Sequence, residues 1–150
     1  MGDRHKKIQN PQQYTPLEEG ALKTLKRHEA GISVGKRPII SMLEYSDTMV
    51  AEEDKPTSYQ LHVRIPDIES PNGQDAAHEV EQALRILLGQ DADRLNIGVK
   101  ERLGAVRVSP KLQDSNNPDI AEIIHDLAIV LANNGINFPG SSNLHGVGRN

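Results

Sequence analysis

The chain has 150 residues, 36% of them hydrophobic, and a mean hydropathy of -0.55, which is enough for one domain with a real core and predicts that part of the length stays extended. The absence of cysteine excludes disulfides and thiolate metal sites, and with only Tyr14, Tyr45, Tyr59 and Phe138 as aromatic residues a stacking platform for bases or sugars is disfavoured. The net charge of -4 hides an asymmetry: residues 1–40 carry eight Lys or Arg against four Asp or Glu, and the remainder nine against seventeen.

Residues 1–14 are polar and aperiodic, the pattern of an arm that orders only on a partner. Thr15-Pro16-Leu17-Glu18 has the capping-box pattern, and Leu17, Ala21, Leu22 and Leu25 make the narrow stripe of a short amphipathic helix before Gly31. Gly31 to Arg37, with two glycines, read as a connector, and Pro38 to Tyr45 as a strand. Residues 46–57, with Glu52-Glu53-Asp54 and Pro56, read as a long acidic hairpin loop.

Ser58 to Ile65 alternates strictly, with Tyr59, Leu61, Val63 and Ile65 on one side and Gln60, His62 and Arg64 on the other. This predicts a strand in an antiparallel sheet with one face on the core and one wet or turned to a partner. Ser70-Pro71-Asn72-Gly73 reads as a stop signal, and a helix is expected from about Asp75 to Leu88, ended by Gly89. Between residues 91 and 104 the pattern leans to helix through Leu95, Val99 and Leu103. The alternative is a strand at Asn96-Ile97-Gly98-Val99 that turns back through Lys100 to Gly104.

Ala105 to Ser109 reads as a strand. A helix capped by Asn117, with Pro118 at its first position, then places Ile120, Ile123, Ile124, Leu127, Val130 and Leu131 in the core and stops at Asn134-Gly135. The tail from 139 to 150, rich in Gly, Ser and Asn, is expected to be flexible.

The chemistry-bearing patterns are few. Of six histidines none lies four residues from another, and His-Glu-x-x-His is absent, so no metal site is expected. Neither a phosphate-binding glycine loop nor a nucleophile elbow occurs. No cofactor and no catalytic residue is assigned, and a non-enzyme is expected. No apolar run approaches the roughly 20 residues that span a bilayer, and Met1 is followed by no apolar leader core. The expectation is a chain with no membrane partner that is not exported by a signal peptide and resides in the cytoplasm or in an assembled particle.

The expected fold is α+β: a small, mostly antiparallel sheet on two main helices, with an arm at 1–37, a core domain at 38–138 and a tail at 139–150. Such a build suits a non-enzymatic, self-associating structural protein, such as a virion coat or other particle subunit, whose arms order on neighbouring copies. Leu17, Leu25, His62, Arg64 and His125 are its candidate interface residues. The alternative is a nucleic-acid-binding regulator contacting phosphates, or an acidic protein surface, through Lys23, Lys26, Arg27, Lys36 and Arg37. A second alternative is a small enzyme built around His62, His78 or His125, which requires those residues to converge.

Overall fold

The computed structural model describes residues 14–28, 31–39 and 56–136. Its elements in order are α1 (Pro16–Arg27), β1 (Gly31–Pro38), β2 (Thr57–Arg64), α2 (Pro71–Leu88), β3 (Leu95–Lys100), β4 (Ala105–Pro110) and α3 (Pro118–Asn133). The four strands form one sheet in the order β1-β2-β4-β3, every neighbouring pair antiparallel, so the fold class is α+β.

The sheet's register explains its two faces. Val34, Leu61, Val108 and Ile97 are paired in one row across all four strands, and Ile32, Val63, Val106 and Val99 in the next. Side chains alternate across a strand, so these eight aliphatics share one face. With Leu84, Leu87, Leu88, Ile120, Ile124, Leu127 and Leu131 they form a single core. Each fully buried aliphatic side chain contributes roughly 1.5–3 kcal/mol, an upper estimate because unfolded chains already bury some of this surface.

Local chemistry fixes the helices where the sequence places their ends. Thr15 caps α1 in a complete capping box, with the Glu18 amide donating to Thr15 Oγ1 at 3.1 Å and the Thr15 amide to Glu18 Oε1 at 2.8 Å. Asn117 caps α3 by accepting from the Asp119 amide at 2.9 Å, and Gly135 ends it with φ at 83°. The Ile136 amide then donates back to the Leu131 carbonyl at 3.1 Å, and Ile136 is buried.

Several expectations need correction. The segment Gly31 to Arg37 is an edge strand: Ile32 and Val34 find core partners in Val63 and Leu61, which outweighs the turn-forming tendency of two glycines. The expected boundary between residues 37 and 38 therefore falls inside β1, and most of the strand expected at 38–45 lies outside the described residues, as do residues 46–55 of the acidic loop. Helix α2 begins at Pro71, because Ser70 accepts from the Gly73 amide at 2.9 Å and so acts as a cap and not as a stop. Residues 91–104 are not a helix: a 3-10 turn (Gly89–Arg94) leads into β3, where Leu95, Ile97 and Val99 alternate, and Gly104 at φ 63° turns the chain into β4.

Helix α1 is a third helix of the core layer. Ala21, Leu22 and Leu25 are buried against α2, and Tyr14 Oη accepts a hydrogen bond from Asn134 Nδ2 at 3.3 Å just past α3. Among the described residues, no helix is long and apolar enough to cross a membrane.

Candidate anion-binding face of the sheet

The helices α2 and α3 contact the sheet on its aliphatic face. On the other face the rows read Ser33, His62, Arg107, Gly98 and Gly31, Arg64, Ala105, Lys100. Strand alternation adds Arg37 two steps beyond Gly35 on β1. Cationic side chains from all four strands thus share one surface.

A chain of hydrogen bonds holds the centre of this face. Gln60 Nε2 donates to the Pro38 carbonyl at 3.2 Å and to Ser58 Oγ at 3.1 Å, which turns Gln60 Oε1 toward His62 Nε2 at 3.0 Å. The acceptor at Gln60 requires the proton on His62 Nε2, leaving Nδ1 as the acceptor of the neutral ring. Burial, followed by the charges of Arg37 and Arg107, lowers the His62 pKa to about 4, so the ring is uncharged at neutral pH.

Arg37 donates from Nη2 to Ser33 Oγ at 2.8 Å. Its side chain therefore reaches back along β1 toward Ser33. A Cβ at Gly35 would meet no atom within 4 Å. Arg37 Nε and Arg107 Nε are both shielded from solvent and have no hydrogen-bond partner. Burial lowers the Arg107 pKa, but an arginine remains charged at any ordinary pH.

The two ends of the face differ. Toward Pro38, Ser58, Gln60 and Ser109 are buried around a small polar cavity of about 60 Å³ that Arg107 also lines. Toward Arg64 the face opens into a concavity of about 1050 Å³, floored by Ser33, Arg37, His62 and Arg64. Its walls are the turn after β2, with Asp67 and Glu69, and the β3–β4 turn, with Glu101 and Arg102. The walls are fixed: the Ile65 amide donates to the Gly104 carbonyl at 2.9 Å, and Gln74 Nε2 to the Ile68 carbonyl at 2.5 Å and to Glu101 Oε2 at 3.0 Å.

The residues singled out from the sequence are spread over both sides of the molecule. Arg37, His62 and Arg64 come together in the concavity. Lys23, Lys26 and Arg27 are exposed on α1 in the helical layer, where Arg27 Nη2 pairs with Glu79 Oε1 at 2.7 Å. Lys36 alternates with Val34 and so lies on the helix side of β1; the five basic residues do not form one footprint. Leu25 is wholly buried and belongs to the core, not to an interface, whereas Leu17 is 66% exposed beside an apolar groove between α1 and α2.

The histidines do not converge. His62 lies on the helix-free face, His78 lines the α1/α2 groove, and His125 is exposed on α3 with its ring centroid 6.2 Å from that of Tyr59. No group of three potential metal ligands occurs among the described residues. Arg107 and Ser33 were missed in the sequence. The alternation of Val106, Arg107 and Val108 carries the signal for the first, and Ser33 was hidden by the reading of its strand as a connector. Comparison with protein-family models, with curated proteins and with solved structures finds no match to this chain.

Proposed function

We propose that this is a non-enzymatic, self-associating structural protein, such as a particle subunit, whose copies join through the helix-free face of the sheet. The observation that carries the reading is the gathering of cations from all four strands on the helix-free face. Arg37, Arg64, Lys100 and Arg107 share the helix-free face, while Asp75, Asp119 and Glu122 are exposed on α2 and α3. The cations of the sheet and these acids of α2 and α3, which lie apart from Lys23, Lys26 and Arg27 on α1, suit a head-to-tail contact, which closes into a ring or propagates. The edge strands β1 and β3 and the exposed Leu17 offer further contact area.

The test is size exclusion with light scattering across protein concentration and salt. Species of several chains that dissociate as salt rises support the reading, and a monomer throughout overturns it. Nucleic-acid binding is the second reading, supported by the same cations, though by a set that shares only Arg37 with the one expected from sequence. It predicts absorbance at 260 nm in excess of that of the three tyrosines in the purified protein. The lack of an aromatic residue among those named on this face disfavours it.

A further inference from the structure

We infer that the concavity floored by Ser33, Arg37, His62 and Arg64 is a binding site for an oxoanion, a phosphate group above all, free or carried as an ester. The inference goes beyond self-association and requires only one copy of the chain. Its foundation is a surplus of donors. Arg37 spends one Nη2 hydrogen on the neutral Ser33 hydroxyl and leaves Nε unpartnered, and Arg64 is exposed with no ion pair or hydrogen bond given to it by any described residue.

Arg107, paired in register with His62, lines the small cavity at the other end of the face and not the concavity, and adds a positive charge nearby. Asp67, Glu69 and Glu101 also line the concavity, beside Arg102, and to the guanidinium groups of its floor a phosphate group brings close to two negative charges and at least three acceptor oxygens. Guanidinium donors suit that geometry, and a site walled by the Ile65–Gly104 backbone contact keeps them from following the ligand out into water.

His62 gives the site a pH signature. It faces Arg37 on β1, Arg64 on its own strand and Arg107 on β4, with Asp67, Glu69 and Glu101 on the walls beyond. Burial first, and then the charges of Arg37 and Arg107, suppress its protonation when the site is empty. A bound dianion offsets their charge, so binding favours the imidazolium, and by linkage the affinity rises as pH falls. Protonated Nδ1 also becomes a donor, adding one charge-assisted hydrogen bond.

The experiment is titration of the full chain followed by the His62 ring resonances and by calorimetry, at concentrations where light scattering reports one constant mass. Sulfate is the main probe because it stays a dianion from pH 5 to pH 7.5, and inorganic phosphate and O-phosphoserine are run beside it to tell a free anion from an ester. The expected result is saturable binding at roughly 1–10 mM, weakened about tenfold in Arg64→Gln and unchanged in Lys23→Gln on the opposite side. Sulfate affinity should increase from pH 7.5 to pH 5 in the wild type and stay flat in His62→Gln. Arg64 is exposed, so its replacement leaves the fold intact and keeps the test decisive even where Arg37→Gln fails to fold. Sulfate that leaves the His62 resonances unmoved, or binds Arg64→Gln as it binds the wild type, overturns the proposal.

Discussion

His62 ties the chemistry of this molecule to its stability. Its pKa drops from 6.5 to about 4 on folding, through burial first and then through Arg37 and Arg107. Between those values the unfolded chain binds more protons than the folded one, so stability is complete above about pH 6.5 and is lost as pH falls toward 4. The ring keeps part of its contact with water, which reduces the loss to roughly 2 kcal/mol. Urea unfolding at pH 7 and pH 4.5 should show this loss in the wild type, and in His62→Gln a correspondingly smaller one. At Gly73 the constraint is steric: a Cβ there would overlap the Asp67 carbonyl, where the turn after β2 presses on the first turn of α2. Gly73→Ala should destabilise by about 1–3 kcal/mol and displace the wall of the concavity, seen as a lowered urea midpoint and weaker sulfate binding.

At the scale of elements, α1 is the piece whose role changes most between sequence and structure. Leu25, fully buried, and Leu17, 66% exposed, lie on the same short helix, so truncating each separates packing from docking. Leu25→Ala should cost about 2–5 kcal/mol, and Leu17→Ala should leave the thermal midpoint within about one degree of the wild type. Equal effects would mean that α1 is not seated as described. Thr15→Ala, which removes the capping box, should cost about 1 kcal/mol.

The elements legible in the sequence were those whose local signals agree. Asn117-Pro118 with the aliphatic repeat of α3, Thr15 with Glu18, and the strict alternation of β2 all state one answer. β1 and the start of α2 were misread because the same residues serve two purposes. Gly31 and Gly35 in an edge strand look like a linker, and Ser70-Pro71 opens a helix with the residues that also close a strand. β3 was ambiguous because Leu95 and Val99 satisfy both a period of four and a period of two. Of the site, Arg37, His62 and Arg64 were named in the sequence, but their convergence depends on the β1–β2 register, a long-range pairing that periodicity does not encode.

For the whole molecule, the placement of three helices on one face leaves a cationic surface on an acidic chain of net charge -4. The central claim is the proposal that copies of the chain associate through it. Light scattering on the wild type and on Arg64→Glu, in the same low-salt buffer across a hundredfold range of concentration, tests that claim most directly. The account predicts a wild-type mass of several times 16.5 kDa that falls with added salt, and a variant close to 16.5 kDa. A wild type that stays at 16.5 kDa throughout, or a variant that associates as strongly as the wild type, would contradict it.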